Sequence, residues 1–304
     1  MIISLYNLEP KIVNVAMMRV SRYHKDRGDT VIIHNPTNKK QKLLVRKKTD
    51  RIYAFSIFDF TDKSCVTSDM ICGGSGFDLT TKLPPDIEKC DYDWSLYPEC
   101  DYSLVWFSHG CIRNCPFCIV RRKEGNVEPC EPKNLNPNGR YIKVYDNNFF
   151  ASPMWREAIT QLISWNQPCD FAGGIDVRLM NKEKCETLNK LKYEKHPKIK
   201  MAWDNPKENL LPKFEEVIKY IKTYKIMVYV LIGYWSDKEQ DIMRVEKLRD
   251  IGMIPFVMPY NKKDYYQHHF ARYVNHKAIF KSHTWKEYQE RYMGINNTKT
   301  RELC

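Results

Sequence analysis

Three cysteines stand within eight positions of the stretch "SHGCIRNCPFCIVRRKEG" (residues 108–125): Cys111, Cys115 and Cys118. Thiolates this close together bind zinc or hold an iron–sulfur cluster. A structural zinc site takes four ligands, usually as two close pairs. Here C-x3-C-x2-C supplies three ligands and no second pair follows. His109 sits two positions before Cys111, an awkward reach for a fourth ligand, and Cys130 is the nearest other thiol. A three-thiolate site leaves one metal position without a protein ligand, where a small molecule can bind. The other cysteines (Cys65, Cys72, Cys90, Cys100, Cys130, Cys169, Cys185 and Cys304) are far apart and read as packed or incidental thiols.

The 304 residues suffice for one large domain or two ordinary ones, and 43% hydrophobic content excludes a disordered chain. No run approaches the roughly 18 apolar residues of a membrane helix, and the N-terminus lacks signal-peptide features, so a cytoplasmic protein with no membrane partner is expected. In that reducing compartment a tight cysteine cluster is kept for metal or redox work. A net charge of +12 favours an anionic partner, nucleic acid among them. The run "NKKQKLLVRKK" (38–48) equally fits a solvated edge.

The elements around the cysteines predict an α/β fold. "YSLVWFS" leads into the cysteine loop, and five further apolar runs follow: "RYIKVYD", "CDFAGGIDVRLM", "KIKMAWD", "KIMVYVLIG" and "MIPFVMPYN". Helical periodicity separates these five, as in "SPMWREAITQLISWN" and "SDKEQDIMRVEKLRDIG". Right-handed crossovers would wind the six strands into a partial (β/α)6 TIM-like barrel over residues 103–263. Residues 1–84 alternate strand and helix as a small Rossmann-like domain. Residues 85–102, rich in Pro, Asp and Tyr, read as a linker, and residues 264–304 as a helical tail that packs rather than binds. "GGSGF" (73–77) lacks the glycine spacing of a dinucleotide fingerprint and reads as a turn. The cysteine loop and the polar groups "DNN", "GGID", "DNP", "GYWSD" and "PYN" all fall at strand C-terminal ends, the edge where barrels assemble active sites.

The loop "CIRNCPFC", with an aromatic residue before its last cysteine, resembles the signature of the radical S-adenosylmethionine superfamily. The resemblance covers residues 103–262. It implies a [4Fe-4S] cluster on Cys111, Cys115 and Cys118, whose open iron chelates the amino and carboxylate groups of S-adenosyl-L-methionine. It also implies that Phe117 lies near the adenine and that a low-potential donor of the flavodoxin or ferredoxin type supplies the electron. Homolysis of the sulfonium then releases a 5′-deoxyadenosyl radical.

The N-terminal domain is similar in position and size to the cobalamin-binding domains of some members. Those that use a histidine carry D-x-H-x-x-G, whereas "RYHKDRG" has Arg22 in place of the Asp and Gly28 one position late. Cobalamin is therefore not expected, and His24 is expected on a helix surface. A methylthiotransferase is not expected either, for want of a second cysteine trio and of a β-domain after the barrel.

Within the same resemblance, Asp146 and Asn147 could hold the ligand's amino group or a ribose, or simply cap a turn. Gly173 and Gly174 allow close approach. Asp176 and Arg178 either meet ribose and carboxylate or pair with each other. Gly233 in "VLIGY" would meet the adenine ring. Asp204 and Asn205 read as a turn, and Tyr260 or Asn261 could face substrate. Arg121, Arg122 and Lys123 either offset the cluster's charge, touch an anionic substrate, or form a solvated helix end. Two other functions stay open: a non-catalytic iron–sulfur or zinc module binding nucleic acid, and an electron-transfer protein with a fully ligated cluster. The residues that would select the substrate or the reaction are not marked.

Overall fold

The computed structural model describes residues 1–36, 49–194 and 199–294; the basic run 38–48 and Cys304 lie outside the described residues. The chain forms two compact units, Met1–Lys143 and Val144–Cys304.

In the first unit, β1 (Ile2–Asn7), α1 (Val15–Lys25), β2 (Thr30–His34), β3 (Arg51–Phe55) and β4 (Ile71–Gly73) build a parallel sheet of order β2-β1-β3-β4. Asn14 starts α1 by accepting the Met17 N–H, which satisfies one of the donors a helix start leaves open. The helix then lays Met17 and Val20 against Ile3, Leu5, Tyr53 and Phe55. Each such fully buried side chain is worth about 1.5–3 kcal/mol of transfer free energy.

His24 does not take the surface position expected of it. It follows Met17, Val20 and Ser21 on the buried stripe of α1 and is only 1% exposed. Its Nδ1 lies 2.7 Å from Asp29 Oδ2 and its Nε2 3.1 Å from Tyr53 Oη. The correction has a simple cause: spacing placed the residue on the packed face, and two polar partners remove the cost of burying an imidazole.

Residues 85–102 are likewise more than a connector. They contain α2 (Pro85–Glu88), whose Ile87 joins the core of the first sheet, while Tyr92 and Trp94 pack with Met18 and Leu104. Large aromatic side chains in a polar stretch found apolar neighbours far away in sequence. The "GGSGF" segment is a turn folded onto Ser56, with the Gly76 N–H 3.0 Å from the Ser56 carbonyl oxygen.

The first unit continues through β5 (Tyr102–Val105), β6 (Ser108–His109), α3 (Val120–Glu124) and β7 (Glu128–Pro129) into β8 (Tyr141–Val144). β5 and β8 are neighbours in one sheet, and β6 and β7 form an antiparallel ladder of two residue pairs.

The second unit alternates α4 (Trp155–Trp165), β9 (Cys169–Phe171), α5 (Lys182–Asn189), β10 (Ile199–Ala202), α6 (Leu211–Ile218), β11 (Ile226–Ile232), α7 (Lys238–Asp250) and β12 (Ile254–Pro259). β10, β11 and β12 pair in parallel in chain order, and a parallel bridge joins Ile175 to Met201 of β10. Alternate residues of β11, from Ile226 to Ile232, are fully buried, as expected of a parallel strand under a helix layer.

The tail is helical, with α8 (Tyr265–Asn275), α9 (Lys277–Ser282) and α10 (Trp285–Tyr292). Phe270, Tyr273, Trp285 and Tyr288 pack together, and Asn275 bonds both the N–H and the carbonyl of Val257 in β12. The chain is thus an α/β protein with parallel sheets. Among the described residues no helix is long and apolar enough to cross a membrane.

Candidate functional site

The cysteine loop hangs from the β6–β7 ladder in the first unit. Gly110 begins it with φ +78°, and a side chain there would collide with the Asn126 carbonyl, so the entry needs glycine on two counts. Glu124 accepts the Gly110 N–H at 3.0 Å, and the Cys111 N–H reaches the Gly125 carbonyl at 3.2 Å. Arg121 closes the loop: its guanidinium donates to the Cys111 carbonyl at 3.0 Å and to the Asn126 side chain. These ties bring the two ends of the loop together across α3.

Between the ends, the Cys118 N–H bonds the Cys115 carbonyl at 3.0 Å, and the Arg113 N–H points at Cys111 Sγ from 3.3 Å. Cys111, Cys115, Phe117 and Cys118 are half-buried. None of the described cysteines is in a disulfide. His109 lies 3.8 Å from Glu124, and burial pushes its imidazole below the ordinary range against the pull of that carboxylate. Cys130 sits beside the ladder, with its N–H on the Phe107 carbonyl and its thiol 3.5 Å from the Trp106 carbonyl oxygen.

Three thiols are the donor set that a cluster with one open iron would take, but they are not gathered here to hold one. Among the described residues, no group of three His, Cys, Asp or Glu side chains converges to hold a metal ion.

The remaining candidate residues, apart from Phe117, belong to the second unit. Asp146 is buried just beyond β8, and Gly173 lies so close to the Asp146 carbonyl that a side chain would collide with it. Asn147 is half-buried beside them, and Gly174 turns with φ +77°. Asp176 caps a short helical turn, receiving the Arg178 N–H at 3.1 Å and Arg178 Nε at 2.6 Å. The other side of the Arg178 guanidinium meets Glu208 Oε2 at 2.8 Å, and Asn148 Nδ2 reaches Asp176 Oδ2 at 3.3 Å. Asp146, Gly173, Asp176 and Arg178 thus fall along one run of strand ends, with Arg178 already paired twice. Gly233, at φ +74°, ends β11 and is closely covered by the Gln267 side chain of α8.

Several residues of this region carried no sequence signal. Arg244 of α7 has no exposed surface and donates to the carbonyls of Trp203, Asp204 and Leu231 and to Asp241 Oδ1, at 2.7, 2.9, 3.0 and 2.7 Å. One guanidinium therefore fastens the ends of β10 and β11. Asp204 accepts the Leu231 N–H at 3.2 Å, and burial raises its carboxyl above the ordinary range. Polarity assigns an arginine to solvent, although helical spacing sets Arg244 and its partner Asp241 on the same face as Val245 and Leu248. Glu208 and Gln267 were equally hidden, because each acts on a residue remote in sequence.

No protein-family model matches the chain, and no curated protein matches it.

Proposed function

We propose that this chain is a radical S-adenosylmethionine enzyme, with a [4Fe-4S] cluster on Cys111, Cys115 and Cys118 and S-adenosyl-L-methionine as the cluster's ligand. The observation that carries the reading is the loop itself. Three half-buried thiols outside any disulfide lie in a segment whose two ends are tied together by Gly110, Arg121 and Glu124. The order of the strands supports it. We read β5, β8, β9, β10, β11 and β12 as a partial (β/α)6 barrel, on the strength of the chain-order pairing of β10, β11 and β12 and the bridge from Ile175 to Met201.

When bound, the cluster would supply the electron that breaks a carbon–sulfur bond of the sulfonium and starts radical chemistry. The chain's own part is to hold and orient. Asp146 and Asn147 would receive the ligand's amino group or ribose, and Gly173 and Gly174 would let it approach the backbone. Arg178 would exchange a carboxylate partner for the ligand's, with Asp176 left to a ribose hydroxyl. Phe117 would flank the adenine. Gly233, expected beside the adenine, is covered by Gln267 and has no part in this reading as it stands. Binding requires the loop to draw its three sulfurs together. The substrate stays unassigned on this reading, the electron donor is a flavodoxin- or ferredoxin-type protein, and the compartment is the cytosol.

Anaerobic reconstitution with iron and sulfide tests the proposal. It should load about four irons per chain, and S-adenosylmethionine with dithionite should then yield 5′-deoxyadenosine. Cys111→Ala should abolish iron uptake while Cys130→Ala retains it. Zinc in the purified protein with no iron uptake would overturn the reading. Loss of the cluster in Cys130→Ala would instead favour a fully ligated electron-transfer centre.

A further inference from the structure

We propose that the open face of α8, with the loop before it and the end of α10, binds single-stranded nucleic acid. This surface belongs to the second unit and calls for no cluster, so it goes beyond the function proposed above. Helix α8 packs with one face and leaves the other to solvent. Gln267, Phe270, Ala271, Tyr273 and Val274 are buried. Tyr265, His268, His269 and Arg272, at i, i+3, i+4 and i+7, line the opposite side, where that spacing sets side chains one above the next. His269 is half-buried and the other three are exposed.

These side chains meet one another and reach α10. The Tyr265 ring lies 4.5 Å from His269, and His269 lies 5.3 Å from His268. Burial raises the Tyr288 phenol of α10 and the charge of Arg272 opposes that rise, so Arg272 stands close to α10. There Tyr292 stacks on Tyr288 at 5.0 Å. The loop before α8 is held in place, with the Tyr260 N–H on the Ile232 carbonyl at 3.1 Å and the Asn261 N–H on Gln267 Oε1 at 2.9 Å. That loop puts Lys262 and Lys263 in water.

Charge and ring chemistry choose the occupant. Between residues 260 and 276 the cations are Lys262, Lys263 and Arg272, and the one acid is Asp264. Its carboxylate is turned to the helix, accepting the Gln267 N–H at 2.8 Å. The large hydrophobic side chains exposed over residues 260–294 are tyrosines alone: Tyr260 at 58%, Tyr265 at 61% and Tyr292 at 48%. An acidic protein would seek an apolar centre to bury, and no aliphatic side chain of that size is offered here. Rings in water beside cations suit unstacked bases on a phosphate backbone. A duplex keeps its base faces closed, so the single strand is the form that fits.

The test uses the full chain and fluorescein-labelled RNA and DNA single strands of about 12 nucleotides, read by fluorescence anisotropy. The parent should bind the single strand more tightly than the duplex of the same sequence. Y265A and Y292A should each lower the affinity about 10-fold without changing its salt dependence. Y265F, which keeps the ring, should bind as the parent does. K262A/K263A should instead flatten the slope of log affinity against log salt by about 1.4, at about 0.7 for each lost phosphate contact. The altered side chains are exposed, so thermal midpoints should stay with the parent's. A preference for the RNA or the DNA strand names the acid, and either one supports the proposal. Failure of the parent to bind both strands overturns it. So does binding that none of these variants weakens, which would put the contact elsewhere in the chain. Poly-L-glutamate bound as tightly as the single strands, and lost in the same variants, would show a surface for acidic proteins and overturn it as well.

Discussion

In the first unit, the cysteine loop hangs from a two-pair ladder and a few side-chain ties to Gly110, Cys111 and Asn126, all polar and partly in water. In the second, the ends of β10 and β11 are gathered by Arg244, a guanidinium with no exposed surface, above a sheet whose inward residues are wholly buried. The first arrangement costs little to loosen, because each tie competes with water. The second is rigid, because breaking any bond strands a buried polar group. On the proposed function the contrast is useful: the thiols must move to enclose a cluster, and the strand ends must hold still to position a ligand.

Arg244→Met probes the rigid side of that comparison and should have the largest effect. Leaving Asp241 buried without its cation costs about 3–5 kcal/mol, to be read as a lower urea midpoint. A loss below about 1 kcal/mol would mean that α7 and the β11 end are not fastened as described. Gly110→Ala probes the loose side. A side chain at positive φ costs about 1–2 kcal/mol, and relief of the collision with Asn126 should appear as local loosening, with faster hydrogen exchange confined to residues 108–127. Exchange rising through the β1–β3 sheet instead would show that the loop is not a separate element.

Asp204→Asn should have the smallest effect at neutral pH. The raised carboxyl of Asp204 binds a proton more readily in the folded chain than in the unfolded one, so its ionisation erodes stability as pH rises above the ordinary carboxylate range. The amide oxygen can still accept the Leu231 N–H. The variant should therefore be level with or slightly above the parent at pH 7, by under about 1 kcal/mol, and lose ground to it at pH 4. Thermal midpoints across that range decide it. A variant less stable at pH 7 than at pH 4, relative to the parent, would contradict burial as the cause of the shift.

How much of this was legible in advance follows from the range of each interaction. Strand positions after residue 102 could be read from apolar runs, and most helices from their periodicity, because those signals are local. The cysteine loop was legible for the same reason: donor type and spacing sit side by side in the chain. His24 departs from the surface position its polarity suggests because its partner Tyr53 lies 29 residues away and completes a buried network. Residues 85–102 passed for a linker because Pro and Asp mark turns, while Tyr92 and Trp94 bury themselves against Met18 and Leu104. Arg121 could be seen as a cation near the cysteines, but not as the brace on Cys111.

By itself the sequence determined the α/β alternation, the thiol triplet and its place after an apolar strand, since each depends on residues within a turn or two of one another. Only the tertiary structure decided what holds those parts. It set Arg178 between Asp176 and Glu208, buried Arg244 under the ends of β10 and β11, and turned Arg121 inward while leaving Arg122 and Lys123 to solvent. The physical reason is that a buried charge or a loop tie exists only when distant segments meet, and an arginine codes alike for a surface cation, an internal clasp and a hinge pin.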